Sequence, residues 1–378
     1  MKYCKKCLQP DTRPGVVFDE EGVCYACRYE EQKKLIDWSS REEALKAIAD
    51  EARSRSSSTP YDCVVGVSGG KDSTFQAFYA RDKLGLRPLL VNALPDGITD
   101  VGRHNLENLV SAGFDAIHLR PNPKVVRSLF KRYFYSCGNP VKPTEYFLWA
   151  SSYIAADFFN IPLIIQGENA ALTLGTAGTG QSCDDDAYSV VNLDSMAGGN
   201  ALDLVGEDVV AEDLFFYQVP NIESMKNKGI RAIFLQYYAK EWSQVGNADF
   251  AVSRGLWGRA YEDLHDIGRY RRFTALDSDM VMVNQMLKYL KFGFGFATDE
   301  ACYDIREGRL TREDAIWLVK EYDGKCGDSY IRDFCRYIDI SVDEFWDVAD
   351  RFVNKKLFVK EQGRWVPRFQ VGIDFDED

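Results

Sequence analysis

Four cysteines near the start of the chain have the spacing of a metal site. Cys4 and Cys7 form one Cys-x-x-Cys pair, and Cys24 and Cys27 form a second pair after sixteen intervening residues. Each pair presents two thiolates on one tight turn, and two such turns complete a tetrahedron around a metal ion. The spacing predicts a structural zinc site, with an iron–sulfur cluster or a redox pair as the alternatives.

A second group of polar residues directly follows the apolar run Cys63-Val64-Val65 and directly precedes a helix-like stretch. It reads Gly66-Val67-Ser68-Gly69-Gly70-Lys71-Asp72-Ser73. Glycines let a backbone approach phosphate closely, and a helix N-terminus supplies free N–H groups. The spacing is neither that of a Walker loop nor that of a Rossmann fingerprint. The segment predicts a loop that binds nucleotide phosphates, and a plain strand-to-helix turn is the alternative.

The elements that must position this loop alternate between strand and helix. Apolar runs predict strands, and stretches with helical spacing predict helices. The predicted strands are residues 63–67, 89–91, 116–119 and 163–165, and the predicted helices include 41–53, 73–84 and 102–112. This alternation predicts an α/β fold with a parallel sheet, in which ligands bind beyond the carboxyl ends of the strands.

The chain divides into four predicted regions. They are a Cys4 zinc knuckle at 1–35, a helix and Ser-rich linker at 36–60, an α/β domain at 61–275 and a mainly helical region at 276–378. Within the α/β domain, the glycine-rich residues 170–206 are expected to form a mobile lid or a disordered loop. The apolar residues 230–238 predict a further strand, and residues 280–290, 311–322 and 341–352 predict helices opened in two cases by capping residues.

Composition and charge limit the class of protein. The chain has 378 residues with 46% apolar and 28% charged side chains, which is ordinary for a globular protein of two or three domains. Its net charge of −12 disfavours nucleic acid as a partner. Because no apolar run is long enough for a membrane span or a signal peptide, the expected location is the cytoplasm, away from the membrane.

The residues Ser68–Ser73 resemble the phosphate loop of the PP-loop ATP pyrophosphatase superfamily. That resemblance implies a doubly wound parallel sheet of the adenine nucleotide alpha hydrolase-like type. It also implies an enzyme that cleaves ATP between its α and β phosphates and attaches AMP to a carbonyl-type oxygen.

Further segments narrow the resemblance. Residues 3–14, 291–295, 297–299 and 308–313 are similar to N-acetyl sugar amidotransferases of bacterial surface-glycan biosynthesis. This family implies conversion of a sugar N-acetyl group to an acetamidino group, a ligase-type reaction that forms a C–N bond. The products would be O-antigen sugars of lipopolysaccharide, or nonulosonic acids of the pseudaminic or legionaminic type.

The resemblance also implies roles for individual residues. Lys71 would neutralise phosphate charge, and Asp72 would organise Mg²⁺. Glu168 would be a magnesium ligand or a base that deprotonates ammonium, with an ordinary loop carboxylate as the alternative. The remaining ATP-binding residues would be Ser68, Gly69, Gly70, Ser73, Asn92 and Gly167.

Ammonia and the sugar require further binding partners. The three histidines and the scattered cysteines show no glutaminase pattern, so we expect a separate glutaminase with an ammonia-channelling subunit. The sugar is expected to be anionic, either linked to a nucleotide or acidic. Two basic clusters are candidates to bind it, with solvated helix charges as the alternative: Arg269, Arg271 and Arg272, and Lys288 and Lys291.

Two other functions fit parts of the pattern. A tRNA-thiolating PP-loop enzyme can also carry an N-terminal four-cysteine site, but the acidic charge and the absence of a second pair of knuckles near the C-terminus count against it. A nucleotide sensor without catalysis is disfavoured because the Ser-Gly-Gly-Lys-Asp-Ser motif is intact.

Overall fold

A parallel sheet of five strands forms the centre of the chain. The computed structural model describes residues 1–176, 183–192 and 201–376. The strand order is β3-β2-β1-β4-β5. The strands are β1 (Cys63–Gly66), β2 (Pro88–Ala93), β3 (Asp115–Leu119), β4 (Leu163–Gln166) and β5 (Arg231–Phe234).

The first strand occupies the middle of the sheet. Val64 pairs with Leu89 of β2 on one side and with Ile164 of β4 on the other. The chain first adds β2 and then β3 on one side of β1. It then crosses back over β1 and adds β4 on the other side. This reversal leaves a crevice beyond the carboxyl ends of β1 and β4, which is the usual ligand position in open α/β sheets.

Helices cover both faces of the sheet, which confirms the predicted doubly wound α/β class. α2, α3, α4 and α9 pack against the face that holds Val65 and Leu90. α5, α6 and α8 pack against the face that holds Val64 and Leu89. The helices up to this point in the chain are α1 (Tyr25–Gln32), α2 (Trp38–Arg55), α3 (Lys71–Phe78), α4 (Asp100–Ser111), α5 (Pro123–Cys137), α6 (Lys142–Phe159), α7 (Ala170–Thr173), α8 (Ile222–Asn227), α9 (Leu235–Tyr238) and α10 (Gly246–Val252).

The C-terminal region is helical as predicted, except for its end. It contains α11 (Met280–Phe292), α12 (Phe296–Arg306), α13 (Arg312–Tyr322), α14 (Asp328–Ile338) and α15 (Val342–Phe352). The predicted caps are present, because the side chains of Thr311 and Ser341 accept hydrogen bonds from backbone N–H groups at the start of α13 and α15.

An antiparallel hairpin of β6 (Phe358–Glu361) and β7 (Arg364–Pro367) follows α15, within the region that the sequence predicted to be mainly helical. The two turn residues, Gln362 and Gly363, have φ values of 47° and 82°. Two successive positive φ values match the twist of a tight hairpin and end any helix.

Two other segments differ from the prediction. The apolar run 230–238 was predicted as one strand, but β5 ends at Phe234 and the short helix α9 follows. The chain turns there over the end of β4, because Gln236 N–H donates to Gly167 O at 3.1 Å. The Ser-rich linker is partly helical, since α2 extends to Arg55 and a 3₁₀ turn follows at Ser56–Ser58.

The glycine-rich segment is only partly described. Residues 177–182 and 193–200 lie outside the described residues, so the predicted lid or disordered loop there stays a prediction. The described parts between and after them form 3₁₀ turns at Ala187–Asn192 and Ala201–Leu204, which bury Val190 and Leu204 against the sheet.

Across residues 1–176, 183–192 and 201–376, no helix combines the length and the apolar character that crossing a membrane requires.

Candidate active site and metal centre

The predicted phosphate loop lies at the crevice between β1 and β4. β1 ends at Gly66, and α3 begins at Lys71 with Gly70 as its N-terminal flanking residue. Gly69 has φ +76°, and a Cβ there would lie 3.1 Å from Gly102 O. Only glycine combines this backbone conformation with so close an approach to α4. The loop therefore directs the N-terminus of α3, with its free N–H groups, into the crevice.

A hydrogen-bonded network joins the loop lysine to the segment that follows β4. Lys71 is buried, ion-paired to Asp72, and donates from Nζ to Oε1 of Gln244 at 2.7 Å. The same Gln244 donates from Nε2 to Oε2 of Glu168 at 2.8 Å. Asn247 donates to Oδ1 of Asp72 at 2.8 Å. The structure therefore brings together the three predicted catalytic residues, Lys71, Asp72 and Glu168.

The carboxyl group of Glu168 is positioned to exchange a proton near neutral pH. Burial, and then the negative charge of Asp72, raise the pKa of Glu168 to about 7, while Lys71 and the hydrogen bond from Gln244 act in the opposite direction. A carboxyl with a pKa near the working pH is suited to general acid–base chemistry.

Two further predicted residues have well-defined neighbours. A Cβ on Gly167 would lie 2.9 Å from the Trp242 ring and 3.0 Å from Oε1 of Gln76, so a larger residue does not fit there. Asn92 is buried, and its side-chain amide donates to Val67 O at 2.6 Å. This hydrogen bond holds the backbone at the start of the phosphate loop in place. Direct contact of either residue with a nucleotide stays a prediction.

Two cavities open at this edge of the sheet. The smaller, of about 160 Å³, is lined by residues of both loops, including Ser68, Asp72, Ser73, Gly167 and Glu168. The larger, of about 350 Å³, has a mainly apolar wall that includes Leu94, Phe147, Tyr217 and Val281. Ser68, Ala93 and Leu148 line both cavities, so the two cavities lie side by side.

The two predicted basic clusters have different positions. Lys288 and Lys291 of α11 line a third cavity, of about 450 Å³. Arg269, Arg271 and Arg272 line none of these three cavities.

The three arginines have partners inside the C-terminal region. Arg269 is fully buried, with its guanidinium 3.7 Å from the centre of the Phe296 ring. Arg271 forms an ion pair with Asp304, and Arg272 donates to Arg259 O. Substrate contact by these arginines stays a prediction, and the contacts that they make stabilise the packing around α12.

The four N-terminal cysteines converge at one buried point. Their Sγ atoms all lie within 4.8 Å of one another. The Cys4–Cys27 distance is 3.9 Å and the Cys7–Cys24 distance is 3.7 Å. A tetrahedral zinc ion with Zn–S bonds of about 2.3 Å separates its sulfurs by about 3.8 Å. The cluster could therefore hold one zinc ion, and its compactness favours a single ion over an iron–sulfur cluster, whose irons would separate the thiolates more widely.

Backbone donors and one arginine lie beside this cluster. Backbone N–H groups of Lys6 and Gln9 donate to the sulfurs of Cys4 and Cys7, each at 3.4 Å. Burial acts to lower the pKa of Arg306, but the negative charge of nearby thiolates, Cys7 first, raises it; Nη1 of Arg306 donates to Thr173 O at 2.8 Å. Since a zinc tetrathiolate carries net negative charge, these donors suit a bound metal and connect it to α7, just after Glu168.

Sequence reasoning missed the residues that complete the network. Gln244 and Asn247 belong to no motif, and Glu307 accepts a hydrogen bond from Gln244 N–H at 3.0 Å. No local signal in the sequence marks them, because their partners lie far away in the chain.

Comparison with known proteins identifies the C-terminal region. Residues 267–370 match the family described as "LPS biosynthesis protein WbpG-like, C-terminal domain". The match does not extend to the phosphate loop. No curated protein matches the chain. This match confirms the predicted resemblance to a surface-glycan biosynthesis family, and residues 267–370 form a WbpG-like C-terminal domain.

Proposed function

We propose that this protein is an ATP-dependent amidotransferase of lipopolysaccharide biosynthesis that converts the N-acetyl group of a sugar to an acetamidino group. One observation carries the proposal: a phosphate-type loop at the end of β1 is joined through Gln244 to Glu168, a carboxyl whose pKa is raised to about 7 by burial and by the charge of Asp72. The WbpG-like C-terminal domain supports the pathway.

In this proposal, two parts of the site bind ATP. The glycine turn and the N-terminus of α3, with Ser68 and Ser73, would hold the phosphates, and the apolar wall of the larger cavity would take the adenosine. In this proposal Asp72 would hold Mg²⁺, which would neutralise phosphate charge when bound.

The chemistry needs an activated amide, because ammonia cannot displace an amide oxygen directly. The amide oxygen attacks the α-phosphorus of ATP, and the bond to the bridging oxygen breaks so that pyrophosphate leaves. Lys71 stabilises the charge on that leaving group. Ammonia then adds to the amide carbon, the carbon–oxygen bond breaks, and AMP leaves. Glu168 accepts the proton released from the nitrogen.

The source of ammonia in this proposal is a separate glutaminase. Among the described residues, none of the three histidines forms a hydrogen bond with a cysteine, which a cysteine glutaminase would need. Glutamine-dependent turnover by the purified chain alone would contradict this part. Both ATP and a glutaminase are consistent with work in the cytoplasm.

A product assay tests the proposal. The purified chain is incubated with ATP, Mg²⁺, ammonium chloride and a panel of N-acetylated nucleotide sugars and nonulosonic acids, and products are identified by mass spectrometry. We expect AMP, pyrophosphate and an amidine from one member of the panel. AMP release only with tRNA and a sulfur donor would instead indicate the thiolating function.

A further inference from the structure

We propose that the third cavity binds the anionic group of an N-acetylated sugar through Lys142 and Lys291. This cavity, the cationic chamber, has a volume of about 450 Å³, and its polar lining includes Arg13, Asn139, Lys142, Gln285, Lys288 and Lys291. The proposal deepens the proposed function and rests on it, because it assigns the sugar a place next to the two cavities proposed to bind ATP.

The charges of the chamber are unbalanced. Four basic side chains line it against two acidic ones, Glu145 and Asp299. Asp299 is already bound by two of the cations, since it pairs with Arg13 and accepts from Lys288 Nζ at 3.0 Å. Glu145 contributes one further negative charge, so the lining still has two more cations than carboxylates, and this excess of positive charge favours an anionic ligand.

That positive charge is concentrated on two lysines. Lys291 donates to a neutral acceptor, Cys137 O, at 3.0 Å. Within the part of the chain that the structure describes, neither Lys142 nor Lys291 forms an ion pair. Burial, and in addition the charge of Lys142, lower the pKa of Lys291. Two neighbouring ammonium groups without a carboxylate partner favour an anion between them.

The chamber also offers acceptors that need a donor. Oδ1 of Asn139 and Oε1 of Gln285 are buried, and neither atom accepts a hydrogen bond from any described residue. Buried amide oxygens in native proteins almost always have a partner. Sugar hydroxyls and an acetamido N–H are donors of the required kind. A ligand that carries both an anionic group and these donors is an acidic or phosphorylated amino sugar.

The chamber adjoins the cavity of about 350 Å³ beside the phosphate loop. Glu145, Asn284 and Gln285 line both the chamber and the cavity of about 350 Å³. That cavity shares Ser68 with the smaller cavity beside Glu168. In this inference, a sugar held in the chamber by its anionic group directs its acetamido group toward the phosphate loop.

Equilibrium binding to the full chain without ATP tests this inference. The probes are N-acetylneuraminic acid, which carries a carboxylate, UDP-N-acetylglucosamine, which carries a diphosphate, and neutral N-acetylglucosamine. The variants are Lys142→Gln, Lys291→Gln and the double variant, with the exposed Lys355→Gln as the matched control. Calorimetry gives the dissociation constants.

We expect one of the anionic probes to bind saturably and the neutral sugar to bind far more weakly. The probe that binds shows whether the anionic group is a carboxylate or a diphosphate. Each lysine substitution should weaken that binding by about tenfold or more, and Lys355→Gln should leave it unchanged. Equal binding of the neutral sugar, unchanged affinity in the double variant, or no binding of either anionic probe would overturn the inference.

Parallel measurements separate this inference from the proposed function. A non-hydrolysable ATP analogue should bind the lysine variants as it binds the unaltered chain. If the chain forms AMP and amidine while the lysine variants bind sugar normally, the chamber inference fails and the function stands. If the lysines govern sugar binding but no sugar supports AMP formation, the function fails and the chamber stands.

Discussion

Lys71 donates a hydrogen bond of 2.7 Å to Gln244, a residue 173 positions away in the chain. Through its other amide atom, Gln244 also holds Glu168 at 2.8 Å. One neutral side chain therefore sets the distance between the cation that would face phosphate and the carboxyl that would take a proton.

Replacing Gln244 with Met should disconnect this network while nearly keeping the side-chain volume. Because a hydrogen bond to a charged group contributes about 1.5–3 kcal/mol, we expect AMP formation to fall by about 10- to 100-fold. The measurement is the initial rate of AMP release, with ATP-analogue affinity as a second readout. The exposed Gln32→Met is the control, and an unaltered rate in Gln244→Met would argue against a role for the network.

Lys71→Met should remove the charge that stabilises the departing pyrophosphate. We expect AMP formation to fall by about 100-fold or more, with the fold retained, because Lys71 lies at the loop rather than within an apolar cluster. Circular dichroism checks the fold. Lys83→Met, a substitution of a more exposed lysine just after α3, should keep full activity. Near-normal activity of Lys71→Met would contradict the proposed phosphate chemistry.

The strands, the phosphate loop and the cysteine cluster were predictable because each is specified by adjacent residues. Buried strands need continuous apolar runs, and knuckles need fixed cysteine spacing. The caps at Thr311 and Ser341 are local signals of the same kind.

The rest depends on contacts between distant residues. Gln244 acts only because the turn before α10 lies against α3, and Arg269 has the sequence context of an exposed basic cluster but is fully buried beside Phe296. The β6–β7 hairpin was missed because its signal is a single Gln362-Gly363 turn. Tertiary contacts of this kind have no local pattern in a single sequence.

Cys24→Ser should remove one ligand from the metal centre. We expect loss of bound zinc and a decrease in the free energy of unfolding of roughly 2 kcal/mol or more, since a structural metal contributes to folding. Elemental analysis and thermal unfolding measure the two effects. Cys326→Ser, outside the cluster, should keep its metal. A metal-free Cys24→Ser protein with unaltered stability would contradict a structural role.

The raised pKa of Glu168 predicts how stability depends on pH. In the folded chain without nucleotide or magnesium, Glu168 keeps its proton up to about pH 7, whereas in the unfolded chain it loses the proton near its ordinary value of 4.5. The folded state thus binds more protons in this interval, and its stability falls as the pH rises through it.

Glu168→Gln has no such proton, so its stability relative to the unaltered chain should increase from about pH 5 to about pH 8. Urea unfolding at both pH values measures the difference, and the exposed Glu43→Gln should show none. A difference between Glu168→Gln and the unaltered chain that does not change with pH would show that Glu168 ionises normally.

The central claim is that AMP is attached to the oxygen of the sugar's acetamido group. The most direct measurement uses the sugar found by the product assay, labelled with a heavy oxygen isotope in that group. Turnover with ATP and ammonia should transfer the heavy oxygen to the phosphate of AMP, because the carbon–oxygen bond breaks when AMP leaves. Heavy oxygen released into water, with unlabelled AMP, would contradict the mechanism.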